Sequence, residues 1–425
     1  MNAMLWSYPS SELHISAQQA FRVFVPLDED RIPLTWRLIP HSLVYFVPFL
    51  WMAYLVRRAH TYTIRLFLLP IVISTTIYCT YRYKVPDPYY TTGDWGRTYM
   101  ALVIIAKALD FGFVKDGRFK VGEERLPEVF ESSKPPSSTP TSEDGSYSLI
   151  PQGIRDAFEV AFTMRGIGWD FGVGLYVPPD PRPQERGPFL KATASSLLWH
   201  YLIVDICNSL LKLTPGVGSP SGGSMFYTSL PIPLRYVVST GIHIVCGTLL
   251  MCGMDAVNEL LTLIFVALFS QSPAAWPPIS HAPWCSTSLH ELWGHRWHQA
   301  LRYVFFVFGG YAGRWLAGGV GMVFGTFLAS GLYHEIGMRM VDGRVTFWFL
   351  LQAVGTLIET MYTRRTGKRV DGVVGWLWMA FFIFGLGQIC TNSWCMRGLM
   401  GGFIVPQHLS ITRQVVFPLL KPILA

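Results

Sequence analysis

Charge is scarce in this chain. Only 14% of its 425 residues are Asp, Glu, Lys or Arg, against 51% hydrophobic and 15% aromatic. Soluble domains carry about 25% charge, so this shortfall, with a mean hydropathy of +0.32, makes lipid the main solvent. Paired cysteines are lacking too. Cys79, Cys207, Cys246, Cys252, Cys285, Cys390 and Cys395 form no CxxC motif, which excludes a disulfide framework and a zinc ribbon and leaves buried, inert thiols. Residues 1–31 have no basic stretch leading into an apolar core, so a cleavable signal peptide is not expected and the first span serves as signal anchor. There is no internal repeat. The net charge of +7 comes without a basic stripe on a soluble module. Nucleic acid is therefore not an expected partner, and the Lys and Arg residues fit loops that stay cytosolic.

What the sequence has is long apolar runs. A bilayer core takes about 20 mostly apolar residues per helix. The runs are Leu38–Val56, Leu66–Tyr81, Tyr99–Val114, Ala192–Leu211, Leu234–Gly253, Ala256–Phe269, Leu316–Tyr333, Val345–Tyr362 and Val373–Cys390. Ala256–Phe269 is short enough to be re-entrant or tilted. The expected fold class is all-α, a polytopic transmembrane helical bundle of about 8–9 spans. Three regions follow: N-terminal transmembrane helices over 1–114, a cytosolic loop over 115–190, and a catalytic membrane domain over 191–425. Within the loop, Glu131–Ser148 is rich in Ser, Pro, Thr and acids and reads as a disordered linker. Ile154–Trp169 carries apolar residues at helical spacing, as an interfacial amphipathic helix does. Arg57, Arg58 and Arg65 flank the first loop, and Arg364, Arg365, Lys368 and Arg369 form the densest basic cluster, so both loops are expected in the cytosol.

Ionisable residues within hydrocarbon are costly and each needs a partner or a task. Lys107 and Asp110, three apart, can pair. Asp205, Asp255, Glu259 and Glu359 either line a cavity or lie near a water boundary. His334 ends the run Phe324-Gly-Thr-Phe-Leu-Ala-Ser-Gly-Leu-Tyr333 and precedes Glu335. Its small residues allow close helix packing. A buried imidazole stays neutral and can accept a proton from an alcohol. The residues alone support a general base and a core histidine bonded to Ser330 or a backbone carbonyl equally.

A second cluster runs from Ser288 to Arg302 after the loop Trp276-Pro-Pro-Ile-Ser-His-Ala-Pro-Trp284. Ser288 fits an N-cap and Glu291 would complete a capping box. On a continuous helix, Glu291, His295, His298 and Arg302 share one face and Trp293 and Trp297 another. Such a helix suits the membrane interface, with tryptophans in the headgroups and a basic face free to hold nucleotide phosphates, or serves as an anchor with no ligand.

Together these clusters resemble the wax synthase-like branch of the membrane-bound O-acyltransferases, and in particular its fungal members that acetylate terpenoid and meroterpenoid alcohols. The resemblance rests on Trp276-Pro-Pro-Ile279, Ser288-Leu-His-Glu-Leu-Trp-Gly-His-Arg-Trp-His-Gln299 and Ser330-Gly-Leu-Tyr-His-Glu335, with Arg165-Gly-Ile-Gly-Trp169 as a further match. It is clear from Pro151 to Arg365 and weak before. His295 and Leu292 depart from the family pattern, which bears on donor or acceptor fit. The resemblance implies that His334 is the catalytic base. It implies that Glu291, Trp293, Arg296, Trp297 and His298 bind acyl-CoA and shape the active site. No bound cofactor or metal is implied; acetyl-CoA or another acyl-CoA is the co-substrate, a lipophilic alcohol the acceptor and the lipid bilayer the surroundings. The endoplasmic reticulum is the expected membrane, and nothing in the sequence sets the oligomeric state.

Two rivals come from other classes. His290, His295 and His298 superficially match a histidine box of membrane di-iron desaturases, but such a centre needs many ligands and only His281 and His334 could add to them. A transporter or lipid-binding protein would explain the intramembrane acids, but the chain shows no repeated halves or paired broken helices.

Overall fold

A computed structural model describes residues 18–123, 151–340 and 342–419. The expected linker Glu131–Ser148 lies outside them. The named secondary-structure elements of the described residues are helical apart from the two-residue strands Ile32–Pro33 and Tyr83–Lys84, which pair in parallel. Seven helices are long and apolar enough to cross a membrane: α1 Trp36–Val56, α2 Tyr62–Arg82, α5 Arg186–Lys212, α6 Ile232–Leu268, α7 Arg302–Gly337, α8 Arg344–Thr366 and α9 Gly372–Met396. Two more complete the numbering, α3 Thr91–Phe113 and α4 Gln152–Phe162. The expected spans Leu234–Gly253 and Ala256–Phe269 are one continuous helix, α6. The expected span Tyr99–Val114 lies in α3, which is laden with Asp94, Arg97, Lys107 and Asp110 and is not among the seven. The chain divides into two compact units, one of Met1–Lys84 and Met100–Val173, the other of Val85–Tyr99 and Gly174–Ala425.

In the first unit, Phe49, Met52, Val56, Val72, Ile104 and Phe111 pack together with Val160 and Trp169. Helix α4 buries Ala157, Val160 and Ala161 and leaves Ile154, Phe158 and Phe162 exposed. It stops at Phe162 rather than reaching Trp169. Thr163 is already extended, at φ −68°, ψ 106°, and Gly166 and Gly168 follow with φ of +67° and +78°, left-handed values that glycine adopts freely. The Arg165-Gly-Ile-Gly-Trp169 motif is thus a turn that delivers Trp169 to the core. Lys107 does not pair with Asp110 through a hydrogen bond. Its ammonium donates to the carbonyls of Val160 and Thr163 at 2.9 and 2.8 Å, at the C-terminal end of α4 where orphan carbonyls favour a cation. Asp110 binds Arg118 instead. Arg65, expected as a loop charge, is buried and donates to the carbonyls of Phe111, Val114 and Lys115 at the end of α3.

The second unit holds the two residue clusters singled out by sequence. Helix α7 is a hairpin: Ala317 and Gly318 leave helical geometry, and Gly318 has φ +59°. Gly309 faces Gly325 and Gly313 faces Gly321, so closely that a Cβ on any of them would strike the opposite carbonyl. The two arms therefore run antiparallel. The expected span Leu316–Tyr333 is the second arm of this hairpin. Helix α8 gives the vertical scale of the unit. Glu359 meets Leu289 and His290, Gln352 meets Trp293, Phe349 meets His334, and Thr346 meets Glu335. Glu359 and Phe349 are ten residues apart, about 15 Å along a helix.

Candidate active site

Two places on that scale carry the residues singled out by sequence. The upper one is a cavity of about 820 Å³ lined by His281, His290, Glu291, His295, Arg296 and the Thr363–Asp371 turn. The lower one surrounds His334.

The upper cavity begins with a capped helix start. Ser288 Oγ accepts from the Glu291 amide at 3.0 Å, as a capping residue should. Glu291 does not close the capping box on the Ser288 amide. Its carboxylate accepts from the Thr287 amide and hydroxyl at 2.8 and 3.0 Å and binds Arg296 at 2.6 Å. Burial raises the Glu291 pKa, but the Thr287 amide and the Arg296 guanidinium outweigh it and hold the carboxyl below its ordinary value. Glu359 receives the amides of Leu289 and His290 at 2.7 and 2.8 Å, so this intramembrane acid caps the helix start. Asp371 caps α9 through the Gly372 amide at 2.7 Å. All three carboxylates of the cavity are thereby engaged. Arg364 and Arg369 make no ion pair with a carboxylate among the described residues. Burial, then the neighbouring His290 and Arg302, lowers the His295 pKa below its ordinary value.

The expected continuous helix Ser288–Arg302 is corrected here. Helical turns end at Arg296, the last of them a π-helix over Leu292–Arg296, and Trp297 is extended at φ −77°, ψ 151°. The cause is Gln299, whose amide donates to the carbonyls of Trp293 and Trp297 at 3.0 and 2.8 Å and so satisfies groups that a continuing helix would have used. The shared face of Glu291, His295, His298 and Arg302 is therefore split. Glu291, His295 and Arg296 line the upper cavity; His298 is not among its lining and is near enough to His334 to be acted on by it electrostatically. The tryptophans are not headgroup anchors. Trp293 sits among Trp297, Phe327, Trp348 and Phe349, with ring centroids 5.8–6.2 Å away, and its Nε1–H donates to Gln352 Oε1 at 3.2 Å. This break also parts His298 from His290 and His295, the other two histidines of the desaturase-like box, whose rings stay 6.2 Å apart. Among the described residues no three His, Cys, Asp or Glu side chains converge to hold a metal ion.

His334 lies on the second arm of α7. Its Nδ1 is 2.6 Å from the Ser330 carbonyl oxygen, which can only accept, so Nδ1 carries the hydrogen and the lone pair of the neutral ring sits on Nε2. The Phe349 ring stacks on it at 4.8 Å, and Trp394, Tyr333 and Phe305 complete its surroundings. Tyr99 donates to the His334 carbonyl at 3.2 Å. His334 is nonetheless only half-buried. The arrangement offers a neutral, correctly tautomerised acceptor in an aromatic cage.

The sequence did not single out Gln352 or Phe349, although an amide within an apolar run was a visible signal. Arg364 and Arg369 were read only as markers of topology, and they line the cavity. The buried tie of Arg182 to Asp180, Thr193 and the Trp276 carbonyl, at 2.6–3.0 Å, fixes the Trp276-Pro-Pro-Ile279 loop and was also unmarked.

Comparison with known proteins places this same segment. Residues 276–352 match the membrane bound O-acyl transferase family. An acetyltransferase, eriL, of Hericium erinaceus is 27% identical over 52% of this chain and 59% of its own length. The O-mevalon transferase yanI of Aspergillus niger is 24% identical over 65% of this chain and 66% of its own. The probable long-chain-alcohol O-fatty-acyltransferase 7 of Arabidopsis thaliana is 31% identical over 32% of this chain and 48% of its own. The chain thus spans between about half and two thirds of these relatives' length. No solved structure matches. Over residues 276–352, which carry His281 to Arg296 of the cavity and His334 with Phe349 of the cage, the chain resembles the membrane bound O-acyl transferases, and its relatives are those of the wax synthase-like branch with its fungal acetyltransferases.

Proposed function

We propose that this chain is an acyl-CoA-dependent O-acyltransferase of the endoplasmic reticulum membrane that moves an acetyl group from acetyl-CoA to a hydroxyl of a terpenoid or meroterpenoid secondary metabolite. The observation that carries the reading is the Nδ1 bond of His334 to the Ser330 carbonyl, which leaves Nε2 as the proton acceptor. The upper cavity supports it. Arg364 and Arg369, with Arg296 beside them, offer cations to the phosphates of CoA, and the drop of about 15 Å along α8 suits an extended pantetheine arm.

In the reaction, His334 Nε2 takes the proton of the alcohol. The alcohol oxygen bonds to the thioester carbonyl carbon, the tetrahedral adduct collapses, and the carbon–sulfur bond breaks. The thiolate of CoA leaves toward the upper cavity, where the proton follows it. A thioester is already activated, so positioning and base catalysis suffice.

The test is to supply membranes carrying the protein with labelled acetyl-CoA or palmitoyl-CoA and a panel of lipophilic alcohols. Acetyl ester formation is expected. Product from palmitoyl-CoA alone would replace this reading with a wax ester synthase, which the Arabidopsis relative favours. Absence of any ester, with uptake of an alcohol into vesicles, would replace it with a transporter.

A further inference from the structure

Gln352 is fully buried in α8, one turn from Phe349 on the side of the upper cavity. Its orientation is not arbitrary. An indole N–H can only donate, so the atom that faces Trp293 Nε1 at 3.2 Å must be the oxygen. The Nε2 group is then directed elsewhere, and it has no hydrogen-bond partner. Two N–H donors stranded within a bundle cost free energy until something accepts from them. The stranded donor lies three residues above the level of His334, about 4.5 Å along the helix, and below the cavity that holds the cations.

We infer that the Gln352 carboxamide binds the carbonyl oxygen of the thioester and stabilises the oxyanion formed from it; this rests on the acyl-CoA reading of the site. When the alcohol oxygen bonds to the carbonyl carbon, the π pair moves onto the carbonyl oxygen. The Nε2 donors hold that charge while His334 holds the proton taken from the alcohol. On collapse the π bond returns, the sulfur leaves as thiolate, and Gln352 keeps its hydrogens throughout. Trp293 positions this amide by fixing its oxygen. The aromatic cluster around Trp293 thereby acts on the reacting carbonyl rather than on the membrane surface.

The test measures binding of two inert donor analogues to the wild-type protein and to Gln352→Met. One is the acetyl-CoA ketone in which a methylene replaces sulfur, which keeps the carbonyl; the other is S-ethyl-CoA, which lacks it. Wild type should prefer the ketone by several-fold to about tenfold, the worth of one neutral hydrogen bond. Gln352→Met should lose that preference, bind free CoA as wild type does, and lose about 10²- to 10³-fold in kcat with little change in donor KM. Trp293→Phe, which frees the amide without removing it, should lose less kcat than Gln352→Met. Equal affinity of wild type for the two analogues overturns the role of Gln352 and leaves the acyl-CoA reading standing. Failure of wild type to bind CoA or either analogue overturns both.

Discussion

Glu335 accepts a hydrogen bond from the backbone amide of Thr346 at 3.0 Å, so the residue beside His334 caps the first turn of α8. Glu335 is buried, and Gly331, one turn earlier, is in contact range of Thr346, where a Cβ would collide. The arm that carries His334 and the helix that carries Phe349 and Gln352 are locked at this point. Glu335→Ala strands the Thr346 amide and should cost about 1–3 kcal/mol, read as a lower melting temperature in detergent. Glu335→Gln keeps an acceptor and should melt close to wild type. Equal melting of the alanine variant and wild type would show that the cap contributes nothing.

The hairpin of α7 rests on glycine. A side chain at Gly325 would collide with the Gly309 carbonyl, a backbone atom that cannot swing aside, whereas a Cβ on Gly319, beside the turn, meets nothing within 4 Å. Gly325→Leu should therefore separate the arms and abolish accumulation of folded protein, the outcome of severe overpacking. Gly319→Ala should be tolerated. Protease resistance of the purified variants distinguishes the two, and a normally folded Gly325→Leu would contradict the close packing of the arms.

Much of this was legible in the sequence, for identifiable reasons. Apolar run length pointed to each of the seven candidate spans, because a bilayer imposes it, but it split α6 in two and missed the first arm of α7. The SGLYHE motif located His334, because glycine packing and an intramembrane histidine stand out against lipid-facing residues. The helix Ser288–Arg302 was misjudged because helical spacing was extended through Gln299, whose side chain competes for the backbone carbonyls of Trp293 and Trp297. Trp293 was assigned to headgroups because tryptophan is common there; its tertiary contacts with Phe327, Trp348, Phe349 and Gln352 show its interior place. The antiparallel fold of α7 needed knowledge of which glycines face each other, and Lys107 needed the position of the α4 carbonyls. These are long-range pairings, which local spacing does not encode.

The upper cavity makes a prediction about charge. Arg296 spends its guanidinium on Glu291, while Arg364 and Arg369 stand exposed at its rim. Arg364→Ala with Arg369→Ala should weaken CoA binding, and the loss should shrink as salt rises, because exposed charges are screened. Arg296→Ala should weaken acyl-CoA binding more than alcohol binding, by leaving Glu291 to repel phosphate. The pH dependence follows from the depressed Glu291 pKa. The ion pair's contribution is fully present above the ordinary carboxyl value of 4.5 and is lost as pH falls through the lower folded value. Titration of CoA binding by calorimetry at two salt concentrations checks the rim; unchanged affinity in the double variant would remove the phosphates from this cavity.

The base is the remaining test, and it turns on the difference between two histidines. His334 has its Nδ1 committed to Ser330, so Nε2 alone can take a proton. His298 has a buried Nδ1 with no hydrogen-bond partner, and burial followed by the nearby His334 pushes its pKa down to about 3. His334→Ala should insert into membranes, retain donor binding and lose about 10²- to 10⁴-fold in turnover, the usual worth of a general base. His298→Ala should lose less, by altering the shape of the site beneath Trp297. Both variants are compared in matched membranes, with turnover normalised to folded protein and CoA binding measured alongside. Near-normal turnover by His334→Ala would make His334 a core histidine and move the search for the base to His298 or His295. A loss of CoA binding equal to the loss of turnover would instead show that the substitution had disturbed the fold through Ser330 and Phe349, a result that His334→Gln, which fills the cage without supplying a base, is expected to rule out.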